Sequence, residues 1–321
     1  MATAFVTGGS GFIGGRLVRR LAAEGWTVRA LARSERSDRA IEGDGGEPVR
    51  GDLSDVDAMA AGAEGCDAAF HLAAHLGTWG TREEFERGNV EGTRNAVTAC
   101  RRAGVRRFVH AGTEAALLAG KPLVKVDETA PRRPDSPALY SATKAQAEEV
   151  ALSASGDGFE TVSLRPRLVW GKGDTSILPN LMKAVEAGRF AWIGGGRHLT
   201  DTTHVDNVVE GLMLAAERGR AGEAYFVTDG EPVVFRDFIT ALLATQGVEA
   251  PDRSMPSWLA GAAAAGGELT WRTLRLKGEP PLTRLAYWLS AQECTIDISK
   301  ARRELGYEPV KSREEGLAEL R

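Results

Sequence analysis

Apolar residues along this chain fall in short runs that alternate with amphipathic stretches, and the alternation predicts an order of elements. Residues 2–7 form a brief apolar run rich in strand formers, and Leu17, Val18, Leu21 and Ala22 then recur at helical spacing. Residues 26–32 alternate as a second strand, 48–51 read as a third, and 67–74 as a buried strand ending in small residues. A long helical stretch at 83–103 leads to a fifth strand at 105–111. After a loop carrying Pro122, Pro131, Pro134 and Pro137, a helix begins near Ala138. Further on, 201–229 supplies another helix and the strand 224–228. Strands separated by helices predict an α/β fold with a doubly wound parallel sheet.

Beyond Gly171 the character changes. Gly194, Gly195 and Gly196 stand together, Pro280 and Pro281 are adjacent, and tryptophans recur at Trp192, Trp258, Trp271 and Trp288. The expected division is a nucleotide-type domain over 1–171 plus 201–230 and a smaller lobe over 172–200 plus 231–321. The net charge of −4 comes from scattered residues, which argues against a nucleic-acid surface. Cys66, Cys100 and Cys294 lack metal-ligand spacing, and no metal site is expected. The apolar segment 259–267 stops at Glu268 and Gly8 interrupts the N-terminal run, so neither a membrane span nor a signal peptide is expected. A soluble cytoplasmic protein acting on a small molecule is the expectation.

The first predicted strand runs directly into Gly8, Gly9, Ser10, Gly11, Phe12, Ile13 and Gly14. Strand, glycine turn and helix are the context for dinucleotide binding, in which glycines let the backbone approach a pyrophosphate held by helix amides. The second strand ends in Ala32-Arg33-Ser34 with no acid before Glu35. Arginine there, supported by Ser34 or Arg36, suits a ribose 2′-phosphate and favours NADP(H), with NAD(H) possible if Glu35 holds the ribose. Asp52 and Leu53 follow the third strand, where Asp52 either accepts from adenine or caps the next helix. Leu72, Ala73 and Ala74 would let the cofactor lie against the backbone, while His71 reads as a core histidine.

Tyr140 and Lys144 are four apart at a helix start, so phenol and ammonium share a face. A fixed cation lowers a phenol's pKa and makes Tyr140 a candidate general acid/base. The spacing is not specific: Tyr307 and Lys311 repeat it, with Pro309 between them forbidding a helix interior. Thr113 adds a hydroxyl at the end of the fifth strand.

These elements, in this order, resemble an extended short-chain dehydrogenase/reductase: Thr7 to Gly14, Asp52, His71 to Ala74, Asn89, Thr113 and Tyr140-x-x-x-Lys144, then Leu164 to Gly171, Thr203 to Asn207 and Lys300 to Pro309. Within that family, 71–80, 89–101 and 280–309 are similar to the 3β-hydroxysteroid dehydrogenase and dihydroflavonol-reductase-like branch. The resemblance implies a Rossmann-type sheet with a substrate lobe, and ketone–alcohol chemistry on a bulky apolar molecule. It also implies that Thr113 and Tyr140 donate to the carbonyl oxygen, that Lys144 binds the nicotinamide ribose, and that Asn89 holds a relay water. Pro166 and Leu168 would border the cofactor. A homodimer through 83–102 and 137–153 is also implied. The chain departs from the pattern in having Thr113 for the usual serine, Gly112 for a second hydroxyl, and Ala32-Arg33 for an acid.

For the substrate, His75, Trp79, Glu114, Arg167, Trp170 and Trp192 are the expected lining. Two other readings stay open on the same fold: a nucleotide-sugar epimerase or dehydratase that retains its cofactor, and a non-catalytic NADP-binding regulator, against which the intact Tyr140–Lys144 pair argues.

Overall fold

The computed structural model describes residues 2–321. Seven parallel strands make the central sheet: β1 (Thr3–Thr7), β2 (Thr27–Ala32), β3 (Glu47–Arg50), β4 (Ala68–His71), β5 (Arg107–Ala111), β6 (Glu160–Pro166) and β7 (Glu223–Val227). Their spatial order is β7-β6-β5-β4-β1-β2-β3. Strand order reverses at β1 and β4, which opens a ligand crevice at the carboxyl ends there. Thr7 pairs in register with His71, and His71 with His110, so three polar residues close the strand ends side by side.

Helices α1 (Phe12–Ala23), α2 (Glu35–Gly43), α3 (Val56–Ala63), α4 (Gly92–Arg102), α5 (Leu139–Ser153) and α6 (Val205–Arg218) flank the sheet. The two faces separate by strand period: Ala4 and Val6 of β1 pack with Leu17 and Leu21 of α1 and Val208 and Leu212 of α6. Phe5 points the other way, among Met59 of α3, Val97 of α4 and Ala151 of α5. Burial on both faces is why the strands read as nearly continuous apolar runs.

The helical stretch expected at 83–103 is interrupted. Thr81 caps a short helix, Arg82–Phe85, through a reciprocal capping box, and a π-helical turn, Glu86–Glu91, precedes α4. The wider turn carries Asn89. The proline-bearing loop also differs from expectation, because it contains the strand Leu123–Val126. That strand pairs with Cys294–Ile296 in a second sheet completed by Leu199–Thr200 and Val233–Val234. Its partner lies far along the chain, which is why no local pattern announced it.

Tyr307 follows the left-handed Gly306 that ends the helix Ser299–Leu305, and its buried hydroxyl donates to Thr228 O at 2.8 Å. Lys311 pairs with Glu319 instead. The second Tyr/Lys spacing is thus structural. The three cysteines are free and buried. Among the described residues, no helix is long and apolar enough to cross a membrane.

Candidate active site

The glycine turn is built so that side chains cannot enter it. Gly8 has φ +77°, and a Cβ there would lie 2.7 Å from Ala73 N; a Cβ on Gly14 would lie 2.0 Å from Gly8 O. Gly11 starts α1 with no side-chain cap, leaving its first-turn amides to a ligand. Thr7 Oγ1 meets His71 Nδ1 at 2.7 Å and accepts from Ala73 N at 3.3 Å, binding the end of β4 to the turn. Leu72, Ala73 and Ala74 therefore border the same crevice as Gly8, Gly9, Ser10, Phe12 and Ile13. Pro166 ends β6, and Leu168 beyond it is held at φ +38°, a strained conformation for a non-glycine residue. This cradle fits a dinucleotide.

At the end of β2, Arg33 and Arg36 are exposed. Ser34 is already engaged within the fold, where its Oγ caps α2 by accepting from Ser37 N. Asp52 folds into its own loop, accepting from Ser54 N at 2.7 Å and Ser54 Oγ at 2.6 Å, which holds its carboxyl below the usual range. The cap of α3 is Asp55, not Asp52. Asn95 donates to Leu53 O at 2.9 Å, anchoring that loop on α4.

Tyr140 opens α5 and packs edge-on against Phe85, with ring centroids 6.5 Å apart. Phe85 in turn meets the His75 ring at 4.7 Å. Burial together with the nearby Glu114 carboxylate raises the phenol's pKa above the ordinary tyrosine value. This corrects the expectation of a phenol lowered by its lysine. Lys144 donates to Ala111 O at 2.8 Å, and burial pushes its pKa down to about 8 against the pull of Glu148. The ammonium is thus pinned at the end of β5 rather than on the phenol.

Thr113 is also committed differently from expectation. It donates to Glu114 Oε2 at 2.8 Å and accepts from Ala115 N at 3.2 Å. Both polar atoms of the Asn89 amide are engaged within the protein, where Oδ1 accepts from His75 N at 2.7 Å and Nδ2 donates to Thr143 Oγ1 at 3.0 Å. It fastens the β4 loop to α5, beside the turn that carries Tyr140.

Four expected lining residues belong to the interior. Trp170 is fully buried, donating to Asp229 Oδ2 at 2.8 Å and packed edge-on against His204 and Phe238. Trp192 is buried beneath the Arg236 guanidinium and donates to Pro251 O at 2.7 Å. Arg167 and Glu114 are both buried and pair with each other at 2.6 Å. Large rings and charges with satisfied partners have no free group to offer a ligand. Of Trp79, Trp170 and Trp192, the three tryptophans expected to line the pocket, Trp79 alone is partly open, lying under the Arg272 guanidinium at 5.0 Å, and His75 is also partly open.

Residues given no role from sequence complete the arrangement. Thr7 joins the glycine turn to His71, Thr143 holds Asn89, and the Ala111 carbonyl holds Lys144. Thr7 and Thr143 lie beside recognised residues and carry hydroxyls at strand or helix ends, which was the available signal. A cavity of about 720 Å³ lies elsewhere, lined by Trp26, Ala68, Arg107 and Glu160 at the amino ends of the strands. Cofactor crevices of such sheets form at the opposite, carboxyl ends.

The comparisons agree with this geometry. Residues 5–257 match the model of the 3-beta hydroxysteroid dehydrogenase/isomerase family, and the chain belongs to that family. It is an NAD(P)-dependent oxidoreductase that interconverts a ketone and a secondary alcohol. The chain is 48% identical to the 4-hydroxy-2-methyl-3-oxo-4-farnesyl-3,4-dihydroquinoline-1-oxide ketoreductase of Stigmatella aurantiaca, over 99% of this chain and 95% of that one. It is 39% identical to the 2-alkyl-3-oxoalkanoate reductase of Stenotrophomonas maltophilia, covering 98% and 97% of the two chains. Among solved structures, that of gox2253 superposes with a TM-score of 0.80 at 29% identity, covering 99% of this chain and 98% of the other.

Proposed function

We propose that this enzyme reduces, with NADPH, a ketone on a bulky apolar molecule whose carbon next to the carbonyl bears a long alkyl or prenyl chain. The two relatives are named for ketones of that kind, a 3-oxo group beside a farnesylated or alkylated carbon. The observation that carries the reading is the placement of Tyr140 and Lys144 one turn apart at the start of α5, with Lys144 held on the end of β5.

A bound nicotinamide would supply hydride for the carbonyl carbon. Gly8 to Gly14 and the α1 amides would hold its pyrophosphate, and Leu72 to Ala74, Pro166 and Leu168 would border it. Lys144, leaving or sharing the Ala111 carbonyl, would hold the ribose hydroxyls. Arg33, with Arg36, would pair with the 2′-phosphate, and the absence of an acid at the end of β2 supports NADP over NAD. Tyr140 directs its proton to the carbonyl oxygen, where negative charge grows during reduction, and releases it there. Thr113, at the end of β5, would turn its hydroxyl to the same oxygen, and Asn89 fixes the His75 loop against α5. The lobe over 172–200 and 231–321, with His75 and Trp79 at its approach, would shelter the alkyl chain.

Incubation with NADPH and a 2-alkyl-3-oxo acid tests this reading. One NADPH should be consumed per secondary alcohol formed. A rearranged product with no net loss of NADPH would instead indicate cofactor-recycling chemistry and overturn it.

A further inference from the structure

The helix Ser257–Thr273 turns toward solvent the kind of side that a surface helix ordinarily buries. Trp258 is 74% exposed and Leu269 66%. Trp258, Ala262, Gly266, Leu269 and Thr273 recur at helical spacing and form one exposed stripe, with Leu259, Ala263 and Thr270 beside it. None of the exposed residues from Trp258 to Thr270 carries a charge. The acid of this helix, Glu268, is buried on the opposite side, where Oε1 accepts from Arg284 N at 2.7 Å and Oε2 from Arg284 Nη1 at 3.0 Å. Ala260 and Ala264 are buried on that side too, and a Cβ on Gly261 would lie 3.2 Å from the Tyr287 ring. The helix is thus fastened along its length to the helix Arg284–Ala291. The apolar run that stops at Glu268 in the sequence is continuous in space.

This surface continues past the helix, and its far end is basic. Leu274 is 64% exposed and Leu276 is exposed after it, with Arg272, Arg275 and Lys277 exposed among them. None of the three cations is ion-paired among the described residues, and the exposed acid of the segment is Glu279. The Arg272 guanidinium lies 5.0 Å over the Trp79 ring, which brings this end of the helix to the loop after β4. Leu76 of that loop is 70% exposed. The same loop carries His75, whose ring meets Phe85 at 4.7 Å, and Phe85 meets Tyr140 at 6.5 Å. The apolar, basic-ended surface therefore runs onto the approach to the site. Contiguous exposed apolar surface of this kind marks a place that something else covers.

We propose that this surface docks on a lipid bilayer bearing anionic headgroups, and that the ketone enters the site from that bilayer. Charge complementarity selects the occupant: leucines and a tryptophan set into the acyl boundary, while arginine and lysine beside them meet lipid phosphates. The choice also rests on the ketone proposed above, because a long alkyl or prenyl chain gathers in the same apolar phase. Contact is side-on. Ala260, Ala264 and Glu268 hold the helix flat against the fold, and among the described residues no helix is long and apolar enough to cross a membrane. Docked in this way, the loop with Leu76 and Trp79 lies at the lipid surface, and a long-chain ketone reaches Tyr140 without passing through water.

The test is flotation of the full chain with vesicles in a density gradient, without ketone or NADPH, so that its result is separate from that of the reduction assay. Vesicles of phosphatidylglycerol should carry the protein upward, and vesicles of phosphatidylcholine roughly 10-fold less of it. Trp258→Ser with Leu269→Ser should lower the vesicle-bound fraction by roughly 10-fold or more. Arg275→Glu with Lys277→Glu should remove the preference for phosphatidylglycerol. All four side chains are exposed, so both variants should keep the Tm of the unaltered protein. Failure of the unaltered protein to float with phosphatidylglycerol overturns the proposal, as does flotation undiminished by Trp258→Ser with Leu269→Ser. A lipid-free dimer that this variant converts to a monomer would assign the face to a second copy and overturn it as well. Flotation by a protein that leaves 2-alkyl-3-oxo acids unreduced supports the docking and counts against the proposed reaction alone.

Discussion

Lys144 donates to the Ala111 carbonyl oxygen at 2.8 Å, one helical turn from the Tyr140 phenol. The bond ties α5 to the end of β5 and keeps the ammonium at the site even though burial pushes its pKa down to about 8. Tyr140, by contrast, is shifted upward by burial and Glu114. The first alkaline loss of activity is therefore expected from the lysine. For ketone reduction, kcat/KM is expected to fall as pH rises through about 8, as the free enzyme's Lys144 loses its charge. Lys144→Met should lower kcat/KM by roughly 100-fold or more and abolish that limb. A limb that persists in the variant would assign it to another group.

Arg33 is exposed at the end of β2, with no acid before Glu35. Arg33→Ala should weaken NADPH binding by roughly 10- to 100-fold, the usual worth of a charge-assisted hydrogen bond, and leave NADH binding nearly unchanged. Fluorescence titration with each cofactor measures this. Equal losses for both would place Arg33 elsewhere than at the 2′-phosphate.

His71 and His110 stack at 5.6 Å in the core beneath Lys144. Burial lowers His71 to about 3, and His110 well below its ordinary value. Both are neutral in the fold, whereas an unfolded histidine takes a proton near pH 6.5. Their contribution is complete above that pH and is lost as pH falls from there toward the folded-state values, at up to about 1.4 kcal/mol per pH unit for each group. Thermal unfolding between pH 7 and 5 should show a falling Tm. Neither ring nitrogen of His110 has a partner. His110→Phe should therefore fold and show a shallower fall, and an unchanged slope would remove His110 from the account.

Gly14 tests the cradle separately from the chemistry. A Cβ there would lie 2.0 Å from Gly8 O, so Gly14→Ala must displace the turn. The expected result is a folded protein with cofactor affinity reduced by roughly 100-fold or more, since the α1 amides lose their register with the pyrophosphate. Unaltered affinity would mean that the dinucleotide lies elsewhere.

Much of this site was legible because its demands are local. A turn that excludes any Cβ must be written in glycine, and a phenol and ammonium on one helical face must be four apart, so Gly8, Gly14, Tyr140 and Lys144 could be read directly. Thr113 stands at the end of β5, but the bond its hydroxyl makes to Glu114 was not readable, because that carboxylate is fixed by Arg167, which arrives from β6's far end. The tryptophans misled for a related reason. Composition cannot say which face of a lobe an aromatic occupies, and Trp170 and Trp192 are held inward by Asp229 and Pro251. The strand Leu123–Val126 was hidden because its pairing partner, Cys294–Ile296, is distant in sequence.

The central claim is that Tyr140 delivers the proton that completes reduction. Single-turnover reduction with NADPH, comparing the unaltered protein with Tyr140→Phe, tests it most directly. The variant keeps the ring against Phe85 and should bind NADPH normally, while its rate of alcohol formation falls by about 1,000-fold or more. A rate within a few-fold of the unaltered protein would contradict the account and require another donor at the carbonyl oxygen.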